Sequence, residues 1–98
     1  GPWLTTAGII GDPQDLQVML EVDGNIRQEA NTADMIFSVE ELISYWSQVG
    51  LDTGDILITG TPSGVALARD DPELYYLRPS QMVTARIEKL GELRNSVR

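Results

Sequence analysis

The 98-residue sequence contains no cysteine and no histidine, and each absence removes a class of chemistry. Without cysteine there is no disulfide and no thiolate metal site, which fits a cytoplasmic chain. Without histidine no Ser-His-Asp or Cys-His arrangement can be assembled from these residues, and no imidazole can ligate a metal. No apolar run approaches the roughly 20 residues of a membrane-spanning helix, and no basic-then-apolar leader pattern opens the sequence. Positive charge is scarce: seven Lys and Arg stand against fifteen Asp and Glu, a net charge of −8. A field of that sign repels nucleic acid and anionic membranes, so neither is expected as a partner. The scarcity is uneven. Arg27 and Arg69 are the only bases in residues 1–75, which carry a net −11, whereas residues 76–98 carry +3. That asymmetry reads as local surface composition.

What is present is ordinary for one small domain spanning 1–98, with 42% hydrophobic residues and room for a single core with little to spare. The sequence is organised around Asp55-Ile56-Leu57-Ile58-Thr59-Gly60-Thr61-Pro62-Ser63-Gly64-Val65. Three consecutive apolar residues predict a central strand over 55–59, buried on both faces. Pro62 ends any ladder, and Gly60 and Gly64 permit backbone closed to other residues. Such a loop would deliver the hydroxyls of Thr59, Thr61 and Ser63 to one place, either as a ligand-facing edge or as a turn without a ligand. It is not a phosphate-binding P-loop, because Val65-Ala66-Leu67 supplies no Lys after the last glycine.

Around that stretch the pattern is mostly β. Gly1-Pro2-Trp3-Leu4-Thr5-Thr6 suggests an edge or connecting strand, with Trp3 and Leu4 seeking burial, and Gly11-Asp12-Pro13-Gln14 is a turn. Leu16, Val18, Leu20 and Val22 alternate on one strand face, Asp23-Gly24 marks a hairpin, and Ile26 to Ala30 returns. A two-residue loop and a three-residue loop with a bulge both fit. The short polar side chains of 31–34 suit a backbone-bonding bend. Ser38-Val39-Glu40-Glu41 is a capping box. Val39, Leu42, Ile43, Trp46 and Val49 form a helical stripe, predicting one main helix over 39–49 that packs on the sheet. Met82 to Glu88 and 93–97 read as strands. The fold class is α+β, mostly β. Asp12, Asp15 and Asp34 read as turn and cap residues, and no tight Mg²⁺ or Mn²⁺ site is expected from them.

The order of phrases then becomes informative. Gly1-Pro2-Trp3, Asp12-Pro13-Gln14, Val22-Asp23-Gly24, Arg27-Gln28, Asn31-Thr32-Ala33-Asp34-Met35-Ile36-Phe37, Thr53-Gly54-Asp55-Ile56, Thr59-Gly60-Thr61-Pro62-Ser63-Gly64-Val65 and Ile87-Glu88-Lys89-Leu90-Gly91 occur in succession. Together they strongly resemble the C-terminal part of the fumarylacetoacetate hydrolase family, over essentially all 98 residues. The resemblance implies a mixed β-rich fold, a homodimeric, Mg²⁺- or Mn²⁺-dependent parent enzyme, and carboxylate substrates bearing oxo or enol groups. The reactions implied are C–C bond hydrolysis, decarboxylation or isomerisation, as in 2-hydroxyhepta-2,4-diene-1,7-dioate isomerases and acylpyruvate hydrolases. It also implies that the metal carboxylates, a catalytic Lys and any His-Glu pair lie before the Gly-Pro-Trp phrase, so no catalytic or metal-binding residue is assigned within 1–98. The one contact the resemblance carries over is Thr61, which in relatives bonds a substrate carboxylate. Ala7-Gly8 stand where relatives commonly carry an acidic pair, and Ser80-Gln81 where they carry Gly-Asp.

Two functions follow as expectations. The first is the C-terminal portion of a metal-dependent enzyme, inactive alone. The second is a non-catalytic binding or interaction module on the same scaffold.

Overall fold

The computed structural model describes residues 3–98. Its frame is one four-stranded sheet, with β1 (Gln17–Val22), β2 (Asn25–Asn31), β3 (Met82–Ile87) and β4 (Gly91–Ser96) in the order β2-β1-β3-β4, every pair antiparallel. A short helix, α1 (Ala7–Ile10), precedes it, and the main helix, α2 (Val39–Ser47), follows β2. The α+β, mostly β class is therefore the observed one, with α1 a turn of helix that the sequence pattern did not announce.

Strand alternation sorts the sheet into two faces. Val18, Leu20 and Val22 share theirs with Val83, Ala85 and Ile87, because partners across a ladder point the same way. The other face is polar, and Arg86 reaches Glu92 at 2.6 Å and Glu21 at 3.5 Å across it. Glu92 and Glu21 hold the Arg86 guanidinium above its ordinary value, the hydrogen bond that Arg86 donates to Glu92 contributing most. The buried apolar residues are few: Leu16 and Val22 at opposite ends of β1, and Ile10 of α1.

The first hairpin combines both options left open by the sequence. Asp23 and Gly24 form a two-residue turn with φ of 51° and 77°, the positive pair such turns need. The register then slips further along: Leu20 faces Gln28 and Glu21 faces Ile26, so Arg27 is an extra residue, a β-bulge. The bulge sends Ile26 to the polar face, where it is half exposed. Asp23 also ties the hairpins together, its carboxylate accepting from Met82 N at 2.8 Å and Gln81 Nε2 at 3.0 Å.

Local capping follows the sequence closely. Ser38 Oγ accepts from Glu41 N, and a Glu41 carboxylate oxygen accepts from Ser38 N at 2.7 Å. Asn31 and Asp34 make the same reciprocal pair around a single 3₁₀ turn at Thr32–Asp34. The bonds donated by Ser38, its backbone N–H first, hold the Glu41 carboxyl below its ordinary value. A depressed carboxyl stabilises the fold above its unfolded pKa, and that contribution is lost as pH falls through the folded value. Ser38→Ala should cost about 0.5–2 kcal/mol, read as a shift in denaturant midpoint. Glu41→Gln should remove this part of the acid dependence.

Three expectations are overturned. The segment 55–59 is neither a strand nor buried: it pairs with no strand of the sheet, and Ile56 and Ile58 are 84% and 91% exposed. Three apolar residues in a row state what a segment needs, cover on two faces, without supplying the cover. Among the described residues only Leu57 is partly covered. The main helix itself is where the sequence put it, at about 39–49: it runs Val39–Ser47, and its last turn tightens as Gln48, Val49 and Gly50 donate to carbonyls three residues back. Its stripe does not pack on the sheet: Ile43 and Trp46 are 48% and 45% exposed, and only Val39 and Leu42 at its start are half-buried. Trp3 and Leu4 form no strand and are exposed, although Trp3 lies where any side chain at Gly91 would meet its ring. Gly1 and Pro2 of that expectation lie outside the described residues.

Candidate functional site

The loop Thr59–Gly64 leaves the exposed segment and comes down against β2. Two features hold it there. Gly64, at φ +106°, sits so close that a Cβ would overlap the Arg27 carbonyl oxygen and come within 3.2 Å of Gln28 Cγ. No other residue type fits both the space and the angle. The second fastening is the Gln28 side chain, whose Nε2 donates to Pro62 O at 2.7 Å, to Thr61 Oγ1 at 2.9 Å and, at the long limit, to Ser63 O at 3.4 Å. Gln28 is on the apolar face of the sheet, opposite Leu20, so an otherwise solitary amide is satisfied by the loop it anchors.

The bulge belongs to this arrangement. As the unpaired residue of β2, Arg27 offers its carbonyl outward, where Gly64 approaches it and Arg69 Nη2 donates to it at 3.3 Å. The guanidinium groups of Arg27 and Arg69 both lie on the Tyr75 ring, 4.9 and 4.2 Å from its centroid. Tyr75 therefore packs, while Tyr76 and Leu77 stay largely exposed.

Between the loop and the chain after β2 lies an open groove of about 690 Å³. Its floor is Val18, Ala30 and Ile87 from the apolar face, one wall is the Thr59–Ser63 loop, and the other runs from Asn31 to Leu42. Gln14 fixes that second wall, donating to Thr32 O at 3.1 Å and accepting from Val39 N at 2.6 Å. Thr59, Thr61 and Ser63 are thus brought to one edge, as the sequence pattern proposed, although the preceding residues are not a buried strand. The groove's charged lining is Glu29 and Asp34, with no Lys or Arg. An anionic ligand here would need positive charge from elsewhere.

The remaining candidates are engaged locally. Asp12 accepts from Gln14 N at 2.8 Å, Asp15 from Asn31 Nδ2 at 3.0 Å, and Asp34 from Asn31 N at 3.3 Å. Among the described residues no three acidic side chains converge into a set that could hold a metal ion. These residues therefore do not fit a divalent ion by themselves. Reading the sequence missed Gln28 as a site residue. It stood in the Arg27-Gln28 phrase, but the bulge that turns it toward the loop leaves no mark in hydrophobic alternation.

Comparison with known proteins places this geometry. The profile of Fumarylacetoacetate (FAA) hydrolase C-terminal matches residues 1–98. The chain is 47% identical over 98 residues to 2,4-didehydro-3-deoxy-L-rhamnonate hydrolase of Sphingomonas sp. (strain SKA58), covering 99% of this chain and 34% of that protein. It superposes on the fumarylacetoacetate hydrolase of psychrophilic Exiguobacterium antarcticum with a TM-score of 0.91 at 33% identity, covering 100% of this chain and 35% of that one. On the maleylpyruvate hydrolase of Sphingobium sp. SYK-6 in complex with manganese(II) and pyruvate, the TM-score is 0.86 at 35% identity, covering 99% and 34%. The chain thus spans about a third of the length of these relatives. Matched along its whole length by the family's profile and sharing its fold with these hydrolases, the chain belongs to the fumarylacetoacetate hydrolase family.

Proposed function

We propose that these 98 residues are the C-terminal part of a larger metal-dependent enzyme that hydrolyses, decarboxylates or isomerises oxo or enol carboxylic acids, and that they are inactive alone. The observation that carries this is the Thr61 hydroxyl, fastened by Gln28 at the rim of the groove with no acceptor for its own proton among the described residues. A hydroxyl held in place before a ligand arrives is suited to a carboxylate, since a charge-assisted hydrogen bond is stronger than a neutral one and little ordering remains to be done. The acidic lining opposes a carboxylate taken alone and so sets a second requirement. A carboxylate would be unstable beside Glu29 and Asp34 without a cation, so residues outside this chain must bring one. Mg²⁺ or Mn²⁺ on carboxylates elsewhere in the protein is that cation in our reading, and the manganese–pyruvate complex of a structural relative supports it. The exposed Ile56, Ile58, Trp46 and Phe37 support the remaining polypeptide, paired as a homodimer, as their cover.

The test is Thr61→Val in the full-length, Mn²⁺-loaded protein, with pyruvate as the probe. Valine keeps the shape and removes the donor. It should weaken pyruvate binding in calorimetry, and lower kcat/KM for an acylpyruvate, by about 1.5–3 kcal/mol, roughly ten- to a hundredfold. Thr61→Ser, which retains the donor, should be milder. A Val variant with a lower Tm but unchanged affinity and kinetics would reduce Thr61 to a turn residue and remove the ligand role.

A further inference from the structure

We infer that Gln28 is a positioning residue for the ligand carboxylate, acting through Thr61 by fixing which way the Thr61 hydroxyl donates. The inference rests on the carboxylate reading of Thr61 and assigns the group that makes it directional.

The orientation of the Gln28 amide is settled by its partners. Carbonyl oxygens only accept, so the group 2.7 Å from Pro62 O must be the NH₂ and not the amide oxygen. An NH₂ has two protons, and the two short contacts are Pro62 O and Thr61 Oγ1, at 2.7 and 2.9 Å. The Thr61 oxygen is therefore an acceptor toward Gln28, and its own proton must point elsewhere. No described residue takes it, and Thr61 lines the groove. A free threonine hydroxyl rotates among staggered positions. This one has a donor on one side, which leaves its proton turned away from β2. Donation from Gln28 also polarises the hydroxyl and strengthens what it gives in turn. The bulge at Arg27 and the close approach of Gly64 set the distance at which this works.

A residue that merely held the loop would cost stability wherever it was replaced, whatever stands at position 61. A residue acting through the Thr61 proton loses its effect once that proton is gone. The experiment is a double-mutant cycle in the full-length, Mn²⁺-loaded protein, with the Kd for pyruvate measured for wild type, Gln28→Met, Thr61→Val and the double variant. Gln28→Met is close in size and adds no charge, and it removes the N–H donor that turns the Thr61 proton toward the groove. We expect roughly a tenfold or greater weakening for each single variant, with the double variant no weaker than about twofold beyond Thr61→Val. Additive losses would overturn the positioning role and leave the Thr61 reading standing. An unchanged Kd in Thr61→Val would overturn both. Should Gln28→Met not fold, the side-chain amide resonances of Gln28 in otherwise unaltered, Mg²⁺-loaded protein give the same answer. Adding pyruvate should shift the proton facing Thr61, and Thr61→Val should abolish that shift. A Gln28 amide signal indifferent to pyruvate would overturn the inference.

Discussion

Ile58→Asp in the full-length protein is expected to abolish accumulation of folded protein, while the same change in the 98-residue chain alone leaves its stability almost unaltered. The contrast comes from cover. In this chain Ile58 is 91% exposed, and surface substitutions of that kind usually stay within about ±0.5 kcal/mol. Under our proposal the rest of the polypeptide lies on 55–59. There the change forfeits roughly 1.5–3 kcal/mol of apolar burial and adds the cost of an unpaired carboxylate in a dry interface. Together these exceed about 4 kcal/mol, a large part of the 5–15 kcal/mol by which whole domains are stable. Soluble yield and denaturant midpoint, compared between the two lengths, check it. Equal and small effects in both would mean that 55–59 is solvent-facing in the complete protein, and the proposal of a larger catalytic domain would lose its strongest structural support.

Gly64→Ala should have the second largest effect, and through geometry alone. A methyl group there overlaps the Arg27 carbonyl, which is backbone and cannot swing aside, and the φ of +106° is strained for any L side chain. Overpacking costs about 1–3 kcal/mol and left-handed backbone about 1–2 more, so the sum approaches what it takes to detach the loop from β2. The loop carries Thr61, and its release should lower kcat/KM in the full-length enzyme by roughly a hundredfold or more while its global Tm falls by only a few degrees. A thermal scan and steady-state kinetics on one preparation separate the two. Intact kinetics with Ala at 64 would show that the loop need not touch β2 for the reaction.

Both expectations turn on features that differ in how visible they were in the sequence. The hairpin at Asp23-Gly24, the capping box at Ser38 and Glu41, and the alternation of β1 and β3 were legible because each is decided by residues within a few positions of one another. The placing of Thr59, Thr61 and Ser63 along one edge was legible from the glycine-flanked loop that carries them. The cover for Ile56, Leu57 and Ile58 was not legible, because an apolar run specifies a requirement and not its source. Nor was the partnership of Gln28 with the loop 33 residues later. That contact depends on one inserted residue at Arg27, and an inserted residue changes no periodicity until the register of the opposite strand is known. The helix stripe shows the same limit. Leu42, Ile43 and Trp46 have the spacing of a packed face, yet most of that face is open among these residues.

The stitch made by Asp23 bears on how quickly this sheet can assemble. Each hairpin is local, and such units form in about 1–10 μs. Joining them requires Val22 to find Val83, and Asp23 to reach Met82 across a sequence separation of 59 residues. The chain entropy lost in closing so long a loop must be met before any β1–β3 ladder bond rewards it. Reaching the native sheet is therefore expected to be limited by the encounter of the two hairpins, and Asp23, which grips β3 at its first residue, holds the two together once they have met.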